Sequence, residues 1–236
     1  MPSMKFEQPE CRHCQSRNQS LFHFCHLNEL EDIDNSKSVA FYKKAQVIFH
    51  EGSNPIGLFC INSGKVKVYR NAADGKEKII RLAKPGDFIG YSSLLAGRPY
   101  PVSAAAMEDA TVCMIPKNAI NEVLRGNQRF SENLVKLLTR TVESSTEKMT
   151  DLAYKPVRER MAEALLFLNS FYKDELNPKG TISITREDLA SFVGTVKETA
   201  IRMLQEFKEE KLIETNRSEI EIKNTEGLAR ISQLYD

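Results

Sequence analysis

The chain has 236 residues, of which 41% are hydrophobic and 28% charged, and it contains no tryptophan. This is the composition of a globular protein, and the length suffices for two modest domains with a core each, which excludes a disordered or fibrous chain. The formal net charge of +1 excludes binding of nucleic acid by gross basicity, so any DNA contact must come from a local basic surface.

The sequence also bounds location and cysteine chemistry. No apolar run approaches the length needed to cross a bilayer, and the first residues lack the apolar core of a secretory signal. We therefore expect a cytoplasmic protein with no membrane partner. Five cysteines in such a chain are expected to be free thiols or ligands rather than disulfides.

Residues 1–28 contain three cysteines and three histidines without clear periodicity, so we interpret them as an irregular N-terminal arm. From Ala45 to Pro116 the chain consists of short runs rich in Val, Ile and Phe, separated by turn signals such as Lys84-Pro85-Gly86-Asp87. Many short strands with frequent turns predict a sandwich or jelly roll. We assign residues 29–128 to this β-roll sensor domain.

A long helix is predicted next, because apolar or small residues recur at helical intervals from about Phe130 to Leu152. The stripe is narrow and partly polar, which favours packing against a second copy, although packing on its own sheet explains the periodicity nearly as well. Tyr154-Lys155-Pro156 marks the end of the helix, since the residue before a proline avoids helical geometry. We place a dimerisation helix at 129–154 and a further domain at 155–236. The stripe consists of Leu134, Leu137, Leu138, Thr141, Ser145, Met149 and Leu152.

The C-terminal domain contains the sharpest local pattern. Thr185 with an acid three residues later is an N-cap pattern, and Gly194 ends the helix that follows. Thr195-Val196-Lys197-Glu198 repeats the capping pattern and begins a second helix that reaches about Lys211. Alternation around Asn216-Arg217-Ser218 then predicts a β-hairpin, which completes a winged helix-turn-helix in a chain of α+β class. The buried face of the second helix is expected to consist of Val196, Ala200, Met203, Leu204 and Phe207.

The outward side of the second helix carries side chains that can read bases in a major groove. Arg202 can donate two hydrogen bonds to guanine, and Glu198 can accept from cytosine while bracing Arg202 one turn away. Ile201 can contact a thymine methyl, and Lys197 and Thr199 can reach guanine or phosphate. Taken alone, the two helices are equally well explained as a helical hairpin with a solvated Glu198 and Arg202 pair.

The hairpin that follows the second helix favours DNA reading over a plain helical hairpin. Arg217 at its tip is a candidate for a phosphate contact, although a simple surface turn explains this residue equally well. Arg186, on the first helix, is a further candidate, since that helix anchors on phosphate in such motifs.

Four segments in this order resemble the CRP/FNR regulators, the cyclic AMP receptor protein and its oxygen-sensing relatives. The resemblance covers nearly the whole chain. It implies a homodimer joined along the long helix, an effector sensed in a β-roll similar to cyclic-nucleotide-binding domains or in the arm, and a roughly palindromic operator on double-stranded DNA beside RNA polymerase. Glu198 and Arg202 fall on the family's base-reading positions. The segments are Ile48–Gly52, Ile61–Val68, Pro85–Gly90 and Val193–Arg202.

The effector pocket departs from the cyclic AMP pattern of that family. The family's pocket has a Glu after the Gly of the Gly-Asp-Phe-Ile-Gly run and an Arg beside a later Ser-Ala, where this chain has Tyr91 and Val102. Without a carboxylate for the ribose and an Arg for the cyclic phosphate, cyclic AMP is not the expected effector. The corresponding pocket positions are Gly90, Tyr91, Ser103 and Ala104.

The resemblance also implies a metal cofactor, because Cys11, Cys14, Cys25 and Cys113 follow the oxygen sensor's layout of three N-terminal ligands and one in the roll. Four thiolates are the ligands of a [4Fe-4S] cluster, and the implied signal is oxygen, nitric oxide or redox state. The middle spacing is longer than the sensor's, so Cys60 or a nearby His can replace Cys25. Zinc, redox-active thiols and plain thiols stay open, and Cys60 by itself is expected to be a core residue.

We find no nucleophile elbow, phosphate loop or His-Glu-x-x-His motif, so the chain is not expected to be an enzyme. Two alternatives to a redox-sensing regulator stay open. One is a CRP-like regulator with no cluster that responds to a small ligand or to none. The other is a ligand-binding module whose helical tail contacts another protein.

Overall fold

The computed structural model describes residues 9–72 and 75–233. Two units are formed, one from Met1–Asn71 with Ile80–Thr141 and the other from Ala72–Ile79 with Val142–Asp236. The first eight residues of the predicted arm lie outside the described residues, as does the end of the predicted C-terminal domain. The division within the long helix does not test the predicted boundary at residue 154, which stays a prediction.

The first unit contains two four-stranded sheets, with strand orders β1-β8-β3-β6 and β2-β7-β4-β5. The predicted β-rich sensor domain is therefore confirmed. The first strand precedes Ala45, so the strands begin earlier than the sequence predicted, although still within the residues 29–128 assigned to this domain. That strand lies at a sheet edge, and its side chains are half-buried or exposed. The strands are β1 Ser38–Tyr42, β2 Val47–Phe49, β3 Gly57–Ser63, β4 Val66–Asn71, β5 Glu77–Ala83, β6 Phe88–Ile89, β7 Ser103–Ala106 and β8 Ala110–Pro116.

The described part of the arm is folded, so its interpretation as irregular is wrong. It forms two 3-10 helices, Gln15–Gln19 and Leu21–Phe24. The Phe22 ring lies inside the core, 4.9 Å from the ring of Phe88 and 6.3 Å from that of Phe130. Burial of this aromatic side chain holds the arm, although its sequence shows no periodicity. Three further helices of the unit, which the sequence reading omitted, are α1 Leu27–Ser36, α2 Tyr91–Ala96 and α3 Lys117–Gly126.

The predicted long helix is present as α4, Gln128–Tyr154. Phe130 and Leu134 are buried in the sensor core, so the first half of the predicted stripe packs on its own domain. Three apolar residues along one side of the helix are exposed at intervals of seven residues, which is the heptad spacing of paired helices, and one of them, Met149, belongs to the predicted stripe. They are Val135, Val142 and Met149, exposed by 61%, 66% and 72%.

The second unit contains the predicted helices and hairpin around a core that includes Met161, Leu165 and Phe207. Its three strands have the order β10-β11-β9. The last helix, absent from the sequence reading, packs against the first helix of the unit. Across the described ranges, none of the helices combines the length and apolarity that a bilayer crossing requires. The elements are α5 Val157–Tyr172, β9 Ile182–Ser183, α6 Arg186–Val193, α7 Lys197–Glu209, β10 Ile213–Asn216, β11 Glu219–Ile222 and α8 Thr225–Ser232.

Candidate nucleic-acid interface and sensor site

Helix α6 begins and ends as its sequence predicts. The hydroxyl of Thr185 accepts a hydrogen bond from the Asp188 N–H at 3.0 Å, which satisfies one of the first free amides of the helix. Gly194 follows the last turn with φ of +79°, a conformation that other residues adopt at a cost. Both ends of α6 are therefore fixed by local contacts, and the turn to α7 begins at Gly194.

The start of α7 differs from the prediction. Thr195 is not the N-cap; that position belongs to Val196, which has no side-chain hydrogen bond to the first turn. Val196 is 52% exposed and so does not belong to the buried face. The first amides of α7 therefore have no side-chain cap, and such free amides bind phosphate oxygens well.

The remaining buried face of α7 is confirmed, and the opposite side is open. Ala200, Met203, Leu204 and Phe207 are buried. Because these residues turn inward, the side chains between them point out from the domain. We call the exposed set of Lys197, Glu198, Ile201 and Arg202 the reading face. Thr199 is half-buried beside it.

Arg202 is braced by a different carboxylate from the one predicted. Its Nε lies 3.9 Å from Oε1 of Glu206, and its side chain is 70% exposed. The other oxygen of Glu206 accepts from Arg158 of α5 at 3.3 Å, which orients the carboxylate towards Arg202. The predicted brace by Glu198 is therefore replaced by the Glu206 carboxylate, which Arg158 also contacts, and Glu198 stays on the reading face.

Lys197 and the two further arginines also have protein partners. Lys197 Nζ donates to Glu187 of α6, and this hydrogen bond raises the pKa of the lysine. Arg217 lies at the wing turn with φ of +51°. Arg186 Nη2 donates to the carbonyl of Arg217 at 2.7 Å, and burial lowers the pKa of Arg186. Arg186 thus supports the wing turn, and its contact with DNA stays a prediction.

The predicted effector pocket is occupied by tyrosine contacts. Tyr91 is buried, and its hydroxyl accepts from Arg81 Nη1 at 2.7 Å and lies 2.8 Å from the Thr141 hydroxyl of α4. Gly90 has φ of +78°, and a Cβ there would lie 3.1 Å from the ring of Tyr100. The carboxylate that a cyclic nucleotide needs is thus replaced by Tyr91, whose hydroxyl is already hydrogen-bonded to other side chains of the protein.

The other two pocket residues lie on β7 and are equally enclosed. Ser103 is buried, and its hydroxyl accepts from the Glu51 N–H at 2.9 Å. Ala104 is fully buried. The ring of Tyr100 stacks on that of Phe49 with centroids 4.1 Å apart, which fills the adjoining core.

Replacing Tyr91 with Phe is expected to lower the free energy of unfolding by about 1 kcal/mol, because the Arg81 donor and the Thr141 hydroxyl lose a buried partner. Urea unfolding at a fixed protomer concentration measures this. The matched control is Tyr154→Phe, since Tyr154 is 83% exposed and should change nothing. Equal unfolding midpoints for the two variants would contradict the assigned network.

The cysteines converge on one place in the first unit. Cys11, Cys14, Cys60 and Cys113 line a cavity of about 20 Å³, which we call the cysteine cavity. Cys25 is buried in the same hydrophobic core but is not among the residues that line the cavity. The prediction that Cys60 is a core residue is confirmed by its 6% exposure.

Five polar residues line the cysteine cavity beside the four cysteines, and some of them contact the sulfurs. Burial raises the pKa of Cys11 to about 12 although Lys37 opposes the shift, and burial raises the pKa of Cys113 to about 11. Lys37 Nζ donates to the Cys11 sulfur at 3.4 Å, and Asn62 donates to the Cys14 sulfur at 3.4 Å. Metal binding would release the thiol protons and replace them with a cation.

The types of side chain present suit a thiolate-bound iron-sulfur group better than a single ion, but the cavity as it stands has room for only about one water molecule. Four sulfurs surround a common cavity, as such clusters require, and N–H donors already point at two of them. Within the described ranges, no three His, Cys, Asp or Glu side chains are arranged to hold one metal ion. No histidine of the described residues lines the cavity either.

Comparison with known proteins supports both halves of this description. A cyclic nucleotide-binding domain model matches residues 39–127, and a Crp-like helix-turn-helix domain model matches residues 159–231. An anaerobic regulatory protein of Aggregatibacter actinomycetemcomitans is 26% identical over 93% of this chain and 88% of its own length. A CRP-like cAMP-activated global transcriptional regulator of Mycobacterium tuberculosis is 27% identical over 80% of this chain and 85% of its own length.

Solved structures agree on the fold. FixK2 from Bradyrhizobium japonicum aligns with a TM-score of 0.74 and 20% identity over 83% of this chain and 96% of its own. The Mycobacterium tuberculosis relative is named a transcriptional regulator and the Aggregatibacter relative a regulatory protein, and neither name is that of an enzyme. With a nucleotide-binding-like β-domain, a long helix and a Crp-like helix-turn-helix in this order, the chain belongs to the CRP/FNR family of DNA-binding transcription regulators.

Proposed function

We propose that this regulator is a homodimer that binds a roughly palindromic operator through α7 and senses oxygen, nitric oxide or redox state through the cysteine cavity rather than cyclic AMP. The convergence of four cysteines from separate segments on one cavity carries the sensory part. Tyr91 on α2 and Tyr100, whose ring packs against Gly90, argue against a cyclic nucleotide as the effector. A relative along 93% of the chain is named an anaerobic regulatory protein.

The proposed cofactor is a [4Fe-4S] cluster, which supplies an oxygen- and nitric-oxide-sensitive group when bound. The residues of the chain hold its site from several directions. Both oxygens of the Asp34 carboxylate accept from the Cys11 N–H, at 2.9 and 3.0 Å, and Asp34 also pairs with Lys37. The arm that carries Cys11 is thus tied to α1, and Lys37 in turn donates to the Cys11 sulfur.

A path from the cavity to the long helix exists within the first unit. Phe22 follows the cysteine turn in the arm, and its ring lies 6.3 Å from that of Phe130, which is fully buried at the start of α4. Any displacement of the arm therefore disturbs the packing of α4. Because packed cores switch between discrete arrangements, a change at the sulfurs can bias the helix that joins the protomers.

The dimer is proposed along α4, since Val135, Val142 and Met149 are exposed at heptad spacing. Two copies related by a twofold axis present two α7 helices, which is why the operator is expected to be palindromic. We further propose that the protein acts in the cytoplasm and works beside RNA polymerase.

The test is anaerobic purification of the full chain, followed by an absorption spectrum, iron and sulfide assays, and a DNA-binding titration, all repeated after exposure to air. We expect a coloured protein with bound iron and sulfide whose DNA affinity changes when air removes the colour. A colourless, iron-free protein that binds DNA identically before and after air would reject the sensory part. It would favour a regulator that responds to a small ligand or to none.

A further inference from the structure

We infer that Cys60, rather than Cys25, is the fourth ligand that joins Cys11, Cys14 and Cys113 at the iron-sulfur cluster. The inference rests on the proposed sensory function and names the ligands of its site. It departs from an assignment by cysteine order along the chain, which takes the third arm cysteine, Cys25.

The pairing of two strands brings Cys60 to the site. Cys60 of β3 lies directly opposite Cys113 of β8 in the antiparallel register. Directly opposite residues place their side chains on the same face of a sheet, with Cβ atoms about 4.5–5.5 Å apart. The two thiols are buried to a similar extent, at 6% and 8% exposure. Two ligands are thus held together by the backbone of the sheet.

The arm brings the other two ligands over this pair. Cys11 and Cys14 lie in a turn, and both line the cysteine cavity with Cys60 and Cys113. The four thiols therefore surround one cavity, with two supplied by the arm and two by the strand pair. Cys25 lies at the end of the second 3-10 helix and is not among the residues that line this cavity.

The remaining lining residues are suited to an anionic group. Lys37 has a side chain exposed by 2% and lies within hydrogen-bond distance of the Cys11 sulfur. Arg17 also lines the cavity, and its buried Nε has no hydrogen-bond partner among the described residues. A buried N–H without an acceptor is costly, so an anionic acceptor in the cavity would remove this cost. Iron-sulfur clusters accept such bonds through their sulfurs.

The cavity is too small for a cluster, so one of its walls must move when a cluster binds. A volume of about 20 Å³ holds about one water molecule, so a cluster requires the walls to separate. Cys60 and Cys113 are fixed in paired strands, whereas Cys11 and Cys14 lie in a turn. We therefore expect the arm to move outward on loading, while the strand pair stays in place.

The experiment compares Cys60→Ala with Cys25→Ala in the full chain, reconstituted anaerobically with iron and sulfide. Both residues are 6% exposed, so the two variants remove equally buried thiols and control for loss of packing. We expect Cys25→Ala to bind wild-type amounts of iron and sulfide. Cys60→Ala is expected to retain the cluster at least about 10-fold less well, because changes to residues that only support metal ligands already cost about 10–100-fold in affinity. Far-UV circular dichroism checks that both variants fold.

The reverse pattern, with iron lost in Cys25→Ala and kept in Cys60→Ala, would overturn the inference while leaving the proposed sensor intact. A wild-type protein that binds zinc without sulfide, or no metal, would overturn the proposed sensor together with the inference. If Cys60→Ala does not fold, alkylation of the wild type followed by mass spectrometry decides. Loading should slow the alkylation of Cys60 and leave that of Cys25 unchanged, and the opposite selectivity would reject the assignment.

Discussion

An Arg202→Ala variant is expected to bind operator DNA at least about 30-fold more weakly than the wild type. One bidentate contact between arginine and guanine is worth about 1–3 kcal/mol, and a dimer loses one in each half-site. At 1.4 kcal/mol per factor of ten, two lost contacts correspond to about 2–6 kcal/mol, so 30-fold is a lower bound. Arg202 is suited to this role because it is 70% exposed and held by Glu206.

The measurement is fluorescence anisotropy at one fixed salt concentration, with an operator selected from random-sequence DNA by the wild-type protein. Salt must be fixed because phosphate contacts make the affinity depend strongly on ionic strength. Arg230→Ala is the matched control. Arg230 is 80% exposed and pairs with Glu226 at 3.8 Å, also four residues apart, but it lies on α8. We expect this variant to bind nearly as the wild type does.

The two variants distinguish base reading from general charge. If both arginines weaken binding equally, and selected and random DNA are affected alike, Arg202 contacts phosphate and not a base. If Arg202→Ala binds as tightly as the wild type, the reading face is wrongly assigned. In that case the alternative of a helical tail that contacts another protein becomes the better interpretation of α7.

Local signals explain which parts of the DNA-binding domain could be predicted from sequence. The cap at Thr185 and the left-handed Gly194 depend on residues a few positions apart, so α6 was placed correctly. Val196 was assigned to the buried face because it follows helical spacing, but the helix begins one residue later. Where a helix begins within such a pattern is set by the turn before it, which sequence periodicity does not report.

The sensor site depends on contacts between residues far apart in the chain, which the sequence pattern does not predict. Cys60 and Cys113 are neighbours through the register of β3 and β8, a long-range pairing that no local pattern specifies. The arm was read as irregular because only isolated residues such as Phe22 are buried, so its side chains show no period. Helix α1 is likewise held by Leu30 and Ile33 in an otherwise polar segment. Tertiary burial, rather than local propensity, determines these elements.

A Val142→Glu variant is expected to raise the dissociation constant of the dimer by about 30-fold or more. In a parallel pair of helices related by a twofold axis that runs along them, residue 142 of one protomer lies near residue 142 of its partner, so the change places two carboxylates against each other. Like charges across an interface cost several kcal/mol. Sedimentation equilibrium over a range of protein concentrations measures the change. DNA affinity should fall with it, because each half-site is then bound separately.

Ser144→Glu is the control for added charge on the same helix. Residue 144 lies two positions on, about 200° around the helix from residue 142, and is also exposed. Val142 is 66% exposed and Ser144 is exposed as well, so neither substitution removes a buried contact of the protomer. A dimer weakened by Val142→Glu alone would place the second protomer on the face that carries Val135, Val142 and Met149. A dimer that tolerates Val142→Glu would move the interface away from this face and leave those side chains without an assigned function.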